Sequence, residues 1–493
     1  MRLYKGIFVN NTVKNNSLLP QEFIDKIANI LPKALSLQAF VDSCHQPLRR
    51  AIRVNTLKIS VETFKARALE HQWSLTQIPW CKEGFWIECA NEEIPLGNSF
   101  EHLSGLFYIQ EASSMMPVAA LFHLFDNNED STLLDAAAAP GSKTTQIAAK
   151  MENKGLIIAN EFSSSRIKML HANIQRCGIK NVALTHFDAK IFGSWLPHSF
   201  DAILLDAPCS GEGTIRKDKL AMKNWNQQAI EDISSMQAEL IESAFHALKE
   251  NGILIYSTCT LSHEENQEIC LTLQKRFPDS VEFLALDNLF DGAEKTATEE
   301  GFLHVWPQVY DSEGFFVAAL RKTQKSNPEL AKKRLGKFPF IRPSRQKEAE
   351  LYEYFEKQFG ITGIDGMLYL RDKEFWLFPD NIKPFINHIR FSRLGIKISE
   401  EFGNVRKTGF KTQHEFVTTF EKRATKNIIE LNALQAKEYY QGKDIRGIDT
   451  GNASGEVFVS YRGQVIGLGK ALNNRLKNSL PRELIRDNNL FVH

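Results

Sequence analysis

Between residues 132 and 257 the chain repeats one pattern: a short apolar run ending in a polar residue, a turn, then a helical stretch. The runs fall at 132–135, 155–161, 182–188, 201–206 and 252–257, with helices expected near 144–151, 166–177 and 231–250. Strands alternating with helices predict βαβ units and a mostly parallel sheet. Such a sheet binds ligands beyond the carboxyl ends of its strands. Four of the five runs end in an acid there: Asp135, Glu161, Asp188 and Asp206. The expected core is therefore an α/β, Rossmann-like fold with an acid-lined crevice. Acids at strand ends also cap helices, but four in register argue for a ligand.

The first turn reads Asp135-Ala136-Ala137-Ala138-Ala139-Pro140-Gly141-Ser142-Lys143-Thr144. Its end resembles a phosphate-binding loop. Such a loop requires a glycine five positions before Gly141, where Ala136 stands, so the nucleotide triphosphatase reading is disfavoured. Small residues have a second use, which is to let the backbone approach a ligand closely beneath a helix N-terminus. Glu161 follows Gly141 by 20 residues, at the next strand end, where a carboxylate can accept both hydroxyls of a ribose. Asp188 is placed to bond an adenine amino group. An adenosine-containing cofactor without a pyrophosphate fits this set, and S-adenosylmethionine is the candidate. Lys143 is either a partner for Asp206 or a phosphate, or an ordinary first-turn lysine.

The chain carries seven cysteines, scattered and without a C-x-x-C pair, which argues against a disulfide framework and a cysteine-rich zinc site. No metal is expected. The N-terminus lacks a secretory pattern, and the longest nearly apolar run, 115–125, is too short to span a bilayer. A cytoplasmic, monomeric protein without membrane attachment is expected. Two cysteines stand out. Cys209 follows the fourth strand in Asp206-Ala207-Pro208-Cys209-Ser210-Gly211-Glu212-Gly213-Thr214, and Cys259 follows the fifth in Ser257-Thr258-Cys259-Thr260. A lone cysteine is most often an inert core residue. Two at neighbouring strand ends beside a cofactor crevice suit nucleophilic catalysis. Carbon 5 of a cytosine is a poor nucleophile until a thiolate adds to carbon 6. The charge this creates must be met at ring nitrogen 3, and a carboxyl such as Asp206 can do so.

These stretches, with Gly105-Leu106-Phe107-Tyr108-Ile109-Gln110-Glu111-Ala112-Ser113 and Gly314-Phe315-Phe316-Val317-Ala318, resemble the cytosine-carbon-5 RNA methyltransferases of the Nol/Nop/Sun (RsmB/RsmF) family. The resemblance covers about residues 100–322. It implies Cys259 as nucleophile and Cys209 as the residue that helps release the covalent product. It implies S-adenosylmethionine held by Ala137, Ala138, Ala139, Pro140, Gly141, Ser142, Lys143, Glu161, Asp188 and Asp206, with Asp206 also facing the base. The family commonly has a cysteine where Ala137 stands; alanine keeps the residue small. The implied substrate is one cytosine of 16S ribosomal RNA near the decoding region, with the RNA or the 30S subunit as partner. Three rivals remain: another RNA such as tRNA or 23S rRNA, a DNA cytosine methyltransferase with Cys209 as nucleophile, and a non-catalytic RNA-binding assembly factor.

Charge separates the flanking regions. The net charge is +1, but residues 257–300 carry ten acids and three bases, and residues 321–348 ten bases and two acids. The second stretch, broken by prolines, reads as a basic connector, solvated or engaged with a polyanion. Residues 20–48 carry an apolar stripe at helical spacing, and 49–89 read as strand, helix and strands. Around Arg462-Gly463 a hairpin is expected between 456–461 and 464–468, followed by Lys470, Arg475, Lys477, Arg482 and Arg486. With the resemblance, which in one branch adds a PUA-like domain, the expected organisation has four parts. They are an N-terminal α+β RNA-binding region (1–104), a Rossmann-like methyltransferase domain (105–322), a basic connector with a small intermediate domain (323–389) and a PUA-like, β-rich RNA-binding domain (390–493).

Overall fold

The computed structural model describes residues 19–90, 94–223, 225–333, 335–404 and 407–486. The helical stretch expected over 20–48 is two helices, α1 (Gln21–Ile30) and α2 (Leu37–His45). Leu31 is extended, as a residue before proline tends to be, and Pro32 ends the first helix. Ser36 starts the second by accepting the Ala39 N–H. Both helices pack outward from the N-terminal region onto the core, with Phe40 edge-on to Trp306 and Phe23 edge-on to Trp225. Next come β1 (Ala51–Val54), α3 (Val61–Glu70), β2 (Trp73–Gln77), β3 (Gly84–Cys89), α4 (Phe100–Leu103) and β4 (Phe107–Ile109). The strands form an antiparallel sheet in the order β2-β3-β1-β4. Ile109 pairs with Ile52, so this sheet runs past the border expected at 104/105.

The central region contains α5 (Met116–Leu124), β5 (Thr132–Asp135), α6 (Ser142–Lys150), β6 (Leu156–Asn160), α7 (Ser164–Arg176), β7 (Val182–Thr185) and α8 (Phe192–Trp195). It continues with β8 (Phe200–Asp206), α9 (Gln227–Ala247), β9 (Leu248–Thr258), α10 (Gln267–Arg276), β10 (Val281–Leu284), β11 (Leu303–Val305), α11 (Pro307–Tyr310) and β12 (Phe315–Lys322). All five expected strands form and are mutually parallel, in the order β9-β8-β5-β6-β7. Helices cover both faces, so β5, β6 and β7 are buried throughout, which is why they read as unbroken apolar runs. The order turns back on itself at β5, between β6 and β8, and the crevice opens there. Two strands are shorter than expected, leaving Glu161 and Asp188 on the loops beyond. The antiparallel strands β10, β11 and β12 complete the far edge and were not anticipated.

The basic connector is not a solvated tether. Lys322 is fully buried and donates to the Phe245 and Leu248 carbonyls and to Ser326, and burial lowers its pKa to about 8. Among the described residues, 323–333 and 335–340 lack helix or strand, but Phe338 and Phe340 anchor the segment on the rings of Tyr369, Trp376 and Phe378. Then follow α12 (Arg345–Phe359), β13 (Met367–Arg371), β14 (Glu374–Phe378), β15 (Arg393–Leu394), β16 (Ile396–Asn404), β17 (Lys407–Thr412) and α13 (His414–Phe420). The sheet β13-β14-β16-β17 crosses the border expected at 389/390, because β14 pairs with β16. Within it, β15 leaves to pair with β7 and extends the core sheet.

The last sheet, β18-β20-β21-β22-β19, comprises β18 (Ile428–Leu431), β19 (Ile445–Arg446), β20 (Gly455–Tyr461), β21 (Gln464–Leu472) and β22 (Arg475–Asn478), with α14 (Ala433–Tyr440) against it. The expected hairpin forms. Arg462 and Gly463 both take positive φ, the turn whose twist matches the strands. This unit docks on the N-terminal region through Tyr461 against Phe100, and Gln464 shares the buried Glu421 carboxylate with Lys58. Among the described residues, no helix is long and apolar enough to cross a membrane.

Candidate active site

Two clusters meet at the carboxyl edge of the parallel strands. The first is the turn between β5 and α6. Gly141 has φ +107°, and a Cβ there would sit 3.0 Å from the Leu170 side chain, so only glycine fits without strain. Ala139 and Pro140 join through a cis peptide. Arg53, buried among the N-terminal strands, donates to the Ser142 carbonyl at 2.8 Å and to Thr145 Oγ1 at 2.7 Å, and also bonds Gln110. The N-terminal sheet thereby grips the first turn of α6. Glu161 is buried, with Oε2 accepting the Ala139 N–H at 3.2 Å and Oε1 the Ser163 N–H at 2.8 Å. These two bonds hold its carboxylate against the 137–141 turn. Asp188 is exposed and accepts the Lys190 N–H at 3.0 Å, capping the turn that follows β7.

The second cluster holds the cysteines. Adjacent parallel strands β8 and β9 place Asp206 opposite Ser257, and the Cys209 and Cys259 sulfurs lie 3.2 Å apart. The Cys259 thiol beside it, together with burial, pushes the Cys209 pKa well up. The loops carrying them are stapled. Ser210 and Thr260, each next to a cysteine, are 2.8 Å apart through their hydroxyls. Both donate to Glu265, which also accepts the Ser210 N–H at 2.9 Å and Gln237 Nε2 at 3.0 Å. Gly213 donates to the Cys259 carbonyl at 2.9 Å and accepts the Gly314 N–H at 3.0 Å. A Cβ on Gly213 would meet the Gly314 oxygen at 2.0 Å, so the two glycine motifs exist for this backbone contact.

Asp206 joins the clusters. Lys143 Nζ lies 2.6 Å from its Oδ2, and Ser257 Oγ donates to its Oδ1 at 2.8 Å. Lys143 also donates to Ser114 Oγ at 3.1 Å and sits over the Phe315 ring. It is thus a partner of Asp206 rather than an ordinary first-turn lysine. Asp135 is wholly buried and bonds Thr144 Oγ1 at 2.6 Å, and burial raises its pKa to about 7. Nearby, Glu111 accepts the Ser114 and Glu313 N–H groups. Burial and the Glu111 charge raise the Glu313 pKa to about 7.

The structure brings Asp206, Cys209, Cys259 and Lys143 together, and sets Ala137–Ser142 beside Glu161. Asp188 stands apart on the surface of the same edge. Glu265, Glu111 and Arg53 were not singled out in the sequence. The first lay in a block read only as acidic, the second lay in the 105–113 motif, and Arg53 lay in a stretch read only as strand, helix and strands.

Parallel strands with a switch point, a small-residue turn and paired cysteines at neighbouring strand ends define a methyltransferase of the Rossmann-like class. Family comparisons agree. A family model described as "16S rRNA methyltransferase RsmB/F" matches residues 122–321. Others match 19–112 ("N-terminal domain of 16S rRNA methyltransferase RsmF"), 340–420 ("Ribosomal RNA small subunit methyltransferase F, pre-PUA domain") and 426–486 ("Methyltransferase RsmF PUA domain"). Among curated relatives, ribosomal RNA small subunit methyltransferase F of Psychromonas ingrahamii is 71% identical over 474 residues, 96% of this chain and 98% of that protein. The Vibrio parahaemolyticus protein of the same name is 54% identical over 483 residues, 97% of this chain and 99% of that one. The chain belongs to the RsmF branch of the 16S rRNA methyltransferase RsmB/F family. Among solved structures, a methyltransferase homolog from Pyrococcus horikoshii is 34% identical with TM-score 0.50, covering 62% of this chain and 100% of that one. NSun6 from the same organism, solved with SFG, is 25% identical with TM-score 0.54, covering 63% and 100%.

Proposed function

We propose that this chain methylates carbon 5 of one cytosine in the decoding region of 16S rRNA, free or in the 30S subunit, through a covalent adduct at Cys259. The observation that carries the reading is the pair of sulfurs 3.2 Å apart, at the strand end next to Asp206. A methyltransferase acting on a more nucleophilic atom needs no such pair.

The crevice suits S-adenosylmethionine. The turn 137–143 is built of small residues, and the Glu161 carboxylate keeps lone pairs for two ribose hydroxyls after its two backbone bonds. Ala137–Lys143, Glu161, Asp188 and Asp206 would hold the cofactor, and Phe162, 71% exposed beside Glu161, offers a ring for stacking. When bound, S-adenosylmethionine supplies the electrophilic methyl group that carbon 5 accepts.

The remaining work belongs to the chain. The Cys259 thiolate adds to carbon 6, forming the S–C6 bond and moving the C5–C6 π pair toward carbon 5. Asp206, whose orientation Lys143 and Ser257 fix, relays the proton given up by the Cys259 thiol to ring nitrogen 3, and takes it back when the adduct breaks down. After methylation the carbon-5 proton is lost to water, the double bond re-forms, and the S–C6 pair returns to sulfur. Cys209, held as a thiol, donates a hydrogen bond to the departing Cys259 thiolate and so assists release. Cysteines that must stay thiols suit a reducing compartment such as the cytoplasm.

The test is methyl transfer to 16S rRNA from a strain lacking this gene, with bisulfite sequencing to locate the product. A new 5-methylcytosine in the decoding region is expected. Transfer to another RNA, or cofactor binding with no transfer, overturns the reading.

A further inference from the structure

We infer that the groove between the α2–β1 connection and the turn after Gly211 is the track for the single-stranded RNA that flanks the target base. This rests on the function proposed above and specifies where its substrate lies. The groove has a volume of about 530 Å³ and runs between two parts of the chain far apart in sequence, residues 44–51 and 216–219.

It is a built feature. Arg216 is buried at its base and donates to the Pro47 carbonyl at 3.0 Å and the Ser312 carbonyl at 3.1 Å, and it pairs with Asp311. One side chain thus ties the N-terminal wall to the catalytic loop. Glu111 is among the residues that line it. Its carboxylate bonds the Ser114 N–H, Ser114 Oγ bonds Lys143, and Lys143 bonds Asp206. A chain of hydrogen bonds therefore links the groove's lining to the group placed at the edge of the reacting cytosine.

Its chemistry matches one ligand class. Arg50, Lys217 and Lys219 are exposed along the rim, and Glu111 is the one acid among the described lining residues, although the exposed Asp218 stands between the two lysines. Lys217 has a distant partner, Glu313 at 3.9 Å, and Arg49 is committed to Glu88, Asp311 and the Trp86 ring. Between the cationic walls lies an apolar floor that includes Leu48 and Ile109, the latter 41% exposed. Cations flanking an apolar floor fit a polyanion that also shows flat apolar faces, namely a single strand with unstacked bases. A duplex turns its bases inward and would leave that floor without a partner. The flanking phosphates, held on the rim, position the target cytosine without reading sequence.

The experiment uses the full chain and in-vitro-transcribed 16S rRNA. The readouts are RNA affinity across a salt series, KM for RNA, and calorimetric affinity for S-adenosylmethionine. Lys217→Glu/Lys219→Glu should weaken RNA binding by on the order of tenfold or more. It should flatten the slope of log K against log salt by roughly 0.7 for each phosphate that is no longer neutralised. Cofactor affinity should be unchanged. Arg50→Glu, on the opposite wall, repeats the test independently of the catalytic loop. RNA affinity, salt slope and KM that all match wild type in both variants overturn the groove while leaving the proposed function standing. A wild-type chain that does not methylate 16S rRNA overturns the function first, and the groove with it.

Discussion

The cysteine loops and the proposed cofactor crevice share one sheet edge but are built on opposite plans. Around the cysteines the two loops are cross-braced inside the protein. Glu265 alone takes bonds from Ser210, Gln237 and Thr260, and two glycines press loop onto loop. Around the crevice, polar groups are held in place but not used up. Glu161 accepts one N–H on each oxygen, and Asp188 is exposed. A nucleophile must be aimed to within fractions of an ångström, so its surroundings are over-determined. A ligand site must leave capacity for the ligand.

Cys259→Ala gives the largest effect expected from this contrast. It should abolish both methyl transfer and the denaturation-resistant protein–RNA adduct, whereas Cys209→Ala should accumulate that adduct. An adduct that persists in Cys259→Ala, seen as a shifted band on a denaturing gel, would reverse the two roles. Glu265→Ala tests the staple. Loosening both loops should lower kcat by about 100-fold, the scale of a 1 Å misplacement, while calorimetric cofactor affinity stays unchanged. Glu265→Gln, which keeps an acceptor, should recover part of the loss; equal damage in both variants would point to charge instead of positioning.

On the crevice side, Glu161→Ala should weaken S-adenosylmethionine binding by about tenfold to a hundredfold, from two hydrogen bonds at roughly 1 kcal/mol each. RNA affinity should not change. Loss of RNA binding in this variant would mean that the two clusters are not separable. The smallest effect concerns Asp135. Its folded pKa is raised to about 7, chiefly by burial and against the opposing bond from Thr144, so proton loss is disfavoured in the folded state. Stability is then greatest below the unfolded carboxylate pKa of about 4 and declines as pH rises through about 7. Asp135→Asn removes this titration. Between pH 5 and 8 its melting temperature should fall less than that of wild type, and parallel curves would count against the burial argument.

Much of the core was legible because its strands are buried on both faces. The runs at 132–135, 156–160 and 182–185 have no polar alternation to confuse them. Legibility failed where burial was decided at a distance. Glu265 sits in a stretch whose acids read as a charged block, yet it is fully buried because three donors converge on it. Lys322 reads as part of a basic connector and is in fact a buried donor to the C-terminal end of α9. The strand Arg393–Leu394 is two residues long, too short for any periodicity, and exists because the β7 edge was available to pair with it. For the same reason a truncation at residue 390 would strip a strand from the core, so it does not isolate the C-terminal module. That module's basic face is also less open than its composition suggests, since Arg475 pairs with Asp444.

The sequence by itself determined the order of elements and the residue types at each strand end. Backbone preference and apolar periodicity are local, and a strand's last residue necessarily falls at the sheet's edge. The tertiary structure decided which of those residues meet. Cys209 and Cys259 are 50 residues apart and become neighbours only because β8 and β9 are hydrogen-bonded in register. Lys143 became the partner of Asp206, and Glu265 a buried staple, for the same reason. Desolvation and cross-loop hydrogen bonds depend on what surrounds a group in space, which adjacency along the chain does not encode.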